Sequence, residues 1–267
     1  MKKLIFFGCL LLVFAACKQE KTNTLLQDKD IQLVSPRVTV SNLIIDSLVT
    51  LKAELKMNGI KIYYTDDGSE PTKNSKLYEQ PLEIVSPGVY KLKAFHPAWK
   101  MSETETVEFV KKGKPIDTII WETNYHQKYK GKGANTLINN RKAMVGFMDS
   151  EWLGFDTIAR ATAMFKDITD VKSLHIGYLN NPAAWIFPPE QINVFVSYDG
   201  KSFVEKEKLK LPPLQQAINQ KMETISISIN KKVKAIKIEV KNVEEIPSWH
   251  QGVGNPAWVF MDEWIFN

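Results

Sequence analysis

The stretch that decides the fold is residues 185–203, which read WIFPPEQINVFVSYDGKSF. Residues 192–198 alternate apolar and polar side chains, the pattern of a β-strand with one buried face. Asp199-Gly200 then predicts a turn, because glycine accepts a positive φ. Pro188-Pro189 prevents a helix upstream, because proline fixes φ and lacks a backbone donor. The stretch therefore predicts a strand and hairpin of a β-sandwich, preceded by an aromatic loop of the kind that often binds ligands.

The same period of two recurs through most of the chain. Residues 223–229 (ETISISI) and 234–240 (KAIKIEV) alternate in this way, and no stretch keeps helical apolar spacing over three turns. Hydrophobic residues make up 44% of the 267 residues and aromatic residues 10%, which is typical of a folded protein. The sequence therefore predicts an all-β fold.

Residues 31–112 carry short strand patterns separated by turn residues, which predicts a small antiparallel sandwich. The run IYYTDDGSEPT at residues 62–72, followed by Lys76-Leu77-Tyr78, is similar to the chitobiase/β-hexosaminidase C-terminal domain. The resemblance covers about residues 58–109 and implies an immunoglobulin-like accessory module without catalytic residues. The acidic side chains of the run are interpreted as caps of a turn rather than as a cation site.

Gly113-Lys114-Pro115 breaks the strand pattern, and we place the domain boundary there, with a second domain at residues 113–267. Four fragments of this domain, in order, resemble the galactose-binding-like β-sandwich of the discoidin or coagulation-factor type C family. They are TLINN at 136–140, WLGF at 152–155, VSYDGKSF at 196–203 and AWVFMDE at 257–263. The pairing of the two modules resembles the C-terminal half of some bacterial β-hexosaminidases. Two β-sandwiches, the second a jelly roll, are therefore expected.

The N-terminus has the pattern of a bacterial lipoprotein signal at residues 1–17. Lys2-Lys3 precedes a short apolar segment, and Ala15-Ala16-Cys17 resembles a lipobox, which implies that Cys17 carries the lipid. An ordinary secretory signal with an incidental cysteine is the alternative. Residues 18–30 are polar and without periodicity, as in a flexible tether. We therefore expect a lipid-anchored protein of the bacterial cell envelope, at the outer membrane.

Composition and motifs argue against two classes of function. The formal net charge of +5 comes from scattered lysines, without the basic stripe of a nucleic-acid-binding protein. The four histidines lack metal-ligand spacing, and the chain has no G-x-S-x-G elbow and no P-loop. A glycosidase needs two placed carboxylates, and the adjacent pair Asp262-Glu263 is expected to point to opposite faces of a strand. The sequence therefore predicts a protein that is not an enzyme.

Aromatic side chains in loops are the first candidates for a ligand site, because their faces cover the apolar side of a sugar ring. Trp185 follows the loop Asn180-Asn181-Pro182, and Trp249 lies in the loop PSWHQG at residues 247–252. The polar side chains expected to bind sugar hydroxyls are those of Asn181, His250, Arg141 and His126. Most of the other tryptophans lie in strand patterns and are expected in the core.

The galactose-binding-like resemblance also implies a structural calcium ion, held by a hydrophobic-Asp-Gly turn and a carboxylate near the C-terminus. The matching positions in this chain are Asn139 and Glu263, with Asn139-Asn140 in place of Asp-Gly. Calcium affinity depends on the number of charged ligands, so a turn without metal is the competing interpretation. No other cofactor is expected.

These observations predict a non-catalytic, lipid-anchored carbohydrate-binding protein whose partner is a glycan of the N-acetylhexosamine or galactose type. The resemblance to sugar-binding modules and the loop aromatics carry this prediction. One alternative is an accessory module that docks a partner glycosidase or transporter at the membrane. A glycoside hydrolase is the other alternative.

Overall fold

The computed structural model describes residues 30–267, and this part of the chain is almost entirely β-structure, as predicted. Its helices are short 3₁₀ turns at Gln127–Tyr129, Thr136–Ile138 and Pro182–Ala184. The strands are β1 Arg37–Val40, β2 Ile44–Ile45, β3 Val49–Glu54, β4 Lys61–Thr65, β5 Lys76–Leu77, β6 Leu82–Ile84, β7 Gly88–Phe95, β8 Glu105–Lys111, β9 Thr118–Trp121, β10 Leu153–Phe155, β11 Ala159–Asn180, β12 Gln191–Ser197, β13 Val204–Lys210, β14 Lys221–Lys241 and β15 Val259–Phe266. The all-β prediction is confirmed.

Strands β1 to β8 form two sheets around one core. The order is β1-β3-β6 in one sheet and β2-β8-β7-β4-β5 in the other, and Leu51, Leu92 and Phe109 are buried between them. In the turn after β4, the Asp67 carboxylate accepts hydrogen bonds from the backbone and hydroxyl of Ser69, as expected of a turn cap. The other two acidic side chains of the run form ion pairs instead, Asp66 with Lys76 and Glu70 with Lys91 and Lys93. Trp99 packs against this first core.

Strands β9 to β15 form a single seven-stranded sheet that is folded into two layers. Its centre is the antiparallel pair of the two long strands β11 and β14. The strand order is β10-β15-β11-β14-β12-β13, with β9 on β11. The register of this strand pair shifts between Met164 and Thr169 and again between Val171 and Ser173. Asn230, on the opposite strand, has a φ of +48°. Such irregularities bend a strand. They divide the strand pair into one half that pairs with β15 and another half that pairs with β9 and β12.

Side chains from both halves of the β11–β14 pair meet in one hydrophobic core. Ile176 and Ile227 of the first half and Ala161 and Ile238 of the second belong to the same buried cluster. The strands alternate as a sandwich requires, because every second residue faces the opposing layer. Because the β11–β14 pair bends in its middle, its two ends lie together at one end of the sandwich, opposite the bend.

The loops that leave this end contact one another. Trp258 donates its backbone N–H to the carbonyl of Trp185 at 2.9 Å, and Glu190 donates to Lys241 at 2.9 Å. The loops that meet here, at residues 122–152, 181–190, 211–220 and 242–258, are called the loop end. The hairpin turn at Asp199-Gly200 lies at the other end, since Ser197 pairs with Ala235 near the bend.

The two sandwiches are joined by a tight connection rather than by an open linker. A Cβ atom on Gly113 would lie 2.6 Å from the backbone oxygen of Phe266, so no larger residue fits there without a shift. Asn42 of the first sandwich donates its side-chain amide to the backbone oxygen of Asn140 at 2.9 Å. A cleft of about 860 Å³ between β8 and the outer face of β11, β14 and β15 separates the rest of the two surfaces. Within residues 30–267, no helix has the length and apolar character needed to cross a membrane.

Candidate binding site at the loop end of the second sandwich

Trp185 lies in a tight turn that fixes its position. It follows the 3₁₀ turn Pro182–Ala184 in the left-handed region, at φ +63°, and its N–H is bonded to the Pro182 carbonyl at 2.8 Å. A left-handed φ is unusual for a large residue and is kept only where the surroundings enforce it. The indole is half-buried, against a small cluster formed by Phe187, Ile246 and Ala257.

His250 lies between Trp185 and Trp249, the two tryptophans predicted to bind ligand, and it connects two loops. Its ring is 5.5 Å from Trp249 and 6.5 Å from Trp185, edge-on to both. The Nδ1 atom accepts the N–H of Gly252 at 2.9 Å, which places the proton on Nε2, and Nε2 lies 2.9 Å from the Pro182 oxygen. With both nitrogens bonded and only 8% of the residue exposed, His250 is a structural clamp in this conformation.

Trp249 is half-buried on the other side of the clamp. Its indole N–H donates to the Leu214 carbonyl at 3.1 Å, which ties the loop after β14 to the loop after β13. Beside it runs a groove of about 310 Å³ whose walls include Pro188, Pro189 and Leu214. The tryptophans therefore stand in one cluster of fixed loops next to an open groove.

Asn181 lies beneath these loops and is buried, at 7% exposure. Its side-chain amide donates to the Gln220 oxygen at 3.2 Å, and its backbone pairs with Ile186. The Gln220 Nε2 and the neighbouring Asn180 Oδ1 have no hydrogen-bond partner among the described residues. Asn181 therefore supports the loop, and the two unpaired atoms beside it are themselves buried.

His126 lies on the far side of the strip formed by residues 185–187 and 257–258. It packs edge-on against Trp258, with a ring distance of 5.0 Å, and Tyr129 packs against the same indole at 5.1 Å. The Nδ1 atom of His126 accepts the N–H of Lys128, so the proton is on Nε2, which has no protein partner among residues 30–267. His126 thus presents a donor beside half-exposed aromatic rings.

Arg141 is exposed on the segment 139–143, and its guanidinium makes no ion pair or hydrogen bond with the described residues. The structure therefore brings Trp185 and Trp249 against the His250 ring, and Asn181 lies next to Pro182, whose carbonyl this ring binds. His126 and Arg141 lie on the neighbouring loop of residues 122–152, outside that contact network.

The predicted calcium residues are engaged with protein groups. The Asn139 oxygen accepts the N–H of Arg141 at 2.8 Å, and its amide donates to Glu151 at 2.8 Å. Glu263 Oε1 accepts the N–H of Asn140 at 3.0 Å. Within residues 30–267, no group of three or more His, Cys, Asp or Glu side chains is arranged to hold a metal ion. Asn139 in place of an aspartate also removes one charged ligand, and calcium affinity depends on the number of charged ligands.

A β-bulge corrects the expectation that Asp262 and Glu263 point to opposite faces. The pairing of β11 with β15 shifts between Ile176 and Tyr178, so Asp262 and Glu263 together stand opposite Gly177. Both carboxylates then bond to the segment 139–143. Burial raises the pKa of the Glu263 carboxyl to about 9, against the hydrogen bond from Asn140. The two groups are 0% and 3% exposed, and Glu263 lies at the wall of the cleft between the sandwiches.

Sequence reasoning placed Trp258 in the core and did not consider Tyr129. Both are only partly buried, and they frame His126. The strand pattern around Trp258 concealed this position, because the residue stands just before β15 begins. The proline pairs beside Trp249 were a visible signal for the groove, since Pro188-Pro189 and Pro212-Pro213 line it from two loops.

Residues 45–106 match the family model of the chitobiase/β-hexosaminidase C-terminal domain. This confirms the resemblance predicted for residues 58–109. A search of curated proteins found no match to the chain.

Several solved structures are similar to parts of this chain. A family 32 carbohydrate-binding module of NanJ from Clostridium perfringens, in complex with galactose, is 12% identical, covering 58% of this chain and 97% of the module with a TM-score of 0.37. The C-terminal domain of a chitobiase from Bacteroides fragilis is 11% identical, covering 58% and 96% of the two chains with a TM-score of 0.36. A SusE-like protein is 10% identical and covers 87% of this chain and 97% of its own, with a TM-score of 0.35.

Proposed function

We propose that the chain is a non-catalytic carbohydrate-binding lipoprotein of the bacterial cell envelope, and that it holds N-acetylhexosamine- or galactose-type glycans at the loop end. The observation that carries the proposal is the pair of half-exposed tryptophans, Trp185 and Trp249, held on either side of the buried His250 ring. Aromatic faces cover the apolar side of a pyranose, and nearby polar groups bind its hydroxyls.

The rigidity of these loops supports the proposal. The His250 clamp, the Trp249 bond to Leu214 and the Trp258 bond to Trp185 each join two different loops. Groups that are fixed before the ligand arrives lose little conformational entropy on binding. A shallow site with few contacts therefore retains useful affinity.

Polar groups for hydroxyl recognition lie on the same end of the molecule. His126 Nε2 and the Arg141 guanidinium lack protein partners within residues 30–267, and both stand on the loop of residues 122–152. A ligand longer than one sugar would be needed to touch both this loop and the tryptophans. The lipid on Cys17 and the tether at residues 18–30 would keep the site at the outer membrane; Cys17 and residues 18–29 lie outside the described residues.

The test is a glycan-binding measurement on the purified protein, with titration calorimetry against galactose, N-acetylgalactosamine and their oligomers. We expect Trp185→Ala and Trp249→Ala each to weaken binding by about tenfold or more, if a sugar face on an aromatic ring contributes as much as a stacked nucleic-acid base, about 1–3 kcal/mol. Trp249→Phe keeps an aromatic face but loses the indole N–H bond to Leu214, so it should lose less affinity than Trp249→Ala.

Tyr198→Ala is the matched control, because Tyr198 is a 66% exposed aromatic residue at the opposite end of the sandwich. The Tyr198→Ala variant should bind the glycan with the same affinity as the unchanged protein. The proposal fails if no glycan binds, or if both tryptophan variants, with unchanged melting temperatures, bind as tightly as the control.

A second candidate function is the docking of a partner protein. Met144, Val145 and Met148 are 46%, 62% and 77% exposed on one loop beside the cleft, and clustered exposed apolar side chains are a feature of protein interfaces. A stoichiometric partner that co-purifies with the protein and is lost in Met148→Glu would favour this function. Such a variant should leave glycan binding unchanged.

A further inference from the structure

The segment 139–143 is attached to the sheet through a buried ion pair. Lys142 Nζ lies 3.0 Å from Oδ2 and 3.2 Å from Oδ1 of Asp262, and the two side chains are 12% and 0% exposed. Asp262 also accepts the backbone N–H of Ala143 at 3.1 Å. A buried carboxylate is costly unless it is paired and hydrogen-bonded, and here both conditions are met from a single segment.

The strand opposite is shaped to admit this ion pair. A Cβ atom on Gly177 would lie 1.9 Å from Asp262 Oδ1 and 2.5 Å from Lys142 Nζ, so any side chain at this position would displace the pair. The bulge in β15 turns Asp262 and Glu263 to the same side, towards the segment. The absence of a side chain at Gly177 therefore leaves room for the Asp262 carboxylate and the Lys142 ammonium group.

The segment is held on its other side as well. Asn140, with a φ of +60°, donates its N–H to Glu263 and accepts the side-chain amide of Asn42 from the first sandwich. Asn139, the residue at the position of the calcium-binding aspartate, is bonded to Arg141 and Glu151. These contacts to the turn come from protein groups, while the buried Oε2 atom of Glu263 has no hydrogen-bond partner among residues 30–267.

We infer that the Lys142 ammonium serves as the resident cation of this turn, so that the second sandwich folds and keeps the segment 139–143 in place without calcium. An ammonium group so close to Asp262 repels a divalent cation at the same place. The segment carries Arg141, so Lys142 acts as a positioning residue for it. This last consequence rests on the proposed function, whereas the independence from calcium does not.

The first test is the melting temperature of the purified protein in EDTA and in about 10 mM calcium chloride. A calcium ion bound with a Kd of about 0.1 mM would raise the melting temperature by roughly 5–10 °C. We expect a shift below about 1 °C. A rise of several degrees, or calorimetric binding of one calcium ion per chain, would overturn the inference. This measurement needs no glycan, so its outcome is independent of the proposed function.

The second test replaces the cation itself. Lys142→Met leaves a buried carboxylate without its partner and should lower the melting temperature by about 5 °C or more, in EDTA and in calcium alike. Lys172→Met is the matched control, since its ion pair with Asp170 on β11 is 64% and 48% exposed, and it should change the melting temperature by about 1 °C or less. Equal effects of the two variants would contradict the inference. If Lys142→Met does not fold, the first test still decides.

Discussion

His175 lies on the outer face of β11, in the cleft between the sandwiches, with a serine at each ring nitrogen. Its Nε2 is 2.9 Å from the Ser173 hydroxyl and its Nδ1 is 2.8 Å from the Ser226 hydroxyl. Partial burial lowers the pKa of the imidazole below 6.5, and the nearby Lys142 ammonium lowers it further. The folded protein therefore favours the neutral ring.

This shift predicts a pH dependence with a defined sign. Since the unfolded chain binds a proton at His175 more readily than the folded chain, the stability contribution is present above pH 6.5 and is lost as the pH falls through the folded pKa. In an NMR titration, the His175 ring signals should have a midpoint below 6.5. His175→Gln should reduce the fall in melting temperature between pH 7 and pH 5. A midpoint at or above 6.5 would contradict the shift.

Individual residues were the hardest part to predict from the sequence. The loops that hold Trp185, Trp249 and His250 could be recognised from their prolines and asparagines. The role of His250 as a clamp could not, because its partner, the Pro182 carbonyl, is 68 residues away in the chain. Its ring nitrogens were therefore interpreted as ligand donors, whereas the folded chain uses both.

Among the strands, β15 is the one that the second core depends on most. All eight of its residues are buried, and Phe266 packs edge-on against Phe165 at 5.5 Å. Phe266→Ala should reduce the free energy of unfolding by about 3–5 kcal/mol, because it removes a buried ring and leaves a cavity. Chemical denaturation followed by tryptophan fluorescence measures this loss.

Val204→Ala on the edge strand β13 is the comparison, as Val204 is 68% exposed. Its effect should be within about 0.5 kcal/mol. A similar loss in both variants would mean that β15 is not central to the core.

Alternation predicted most strands, but not their continuity. Residues 161–167 and 172–178 each alternate, with a break in the pattern between them, whereas β11 runs unbroken through both. The register shifts between Met164 and Ser173 change which residues face inwards, and this interrupts the sequence pattern while the backbone pairing continues. The same kind of shift at Asp262-Glu263 overturned the expectation of opposite faces, since a bulge cannot be identified from alternation alone.

At the scale of the whole molecule, two sandwiches and the type of the first could be predicted, because turn motifs and repeated alternation are local properties. The contact between the sandwiches could not, since Gly113 and Asn42 owe their roles to Phe266 and Asn140, far along the chain. The lipid anchor at Cys17 and the location at the outer membrane stay predictions, outside residues 30–267.

The most direct test of the central claim is the response of the tryptophan indole N–H signals to sugar. In a ¹⁵N–¹H NMR titration with galactose or N-acetylgalactosamine, we expect the signals of Trp185 and Trp249 to move together and saturate. The signal of Trp99, which packs on the first sandwich, should stay in place. Unchanged Trp185 and Trp249 signals at a sugar concentration that shifts others would contradict a glycan site at the loop end.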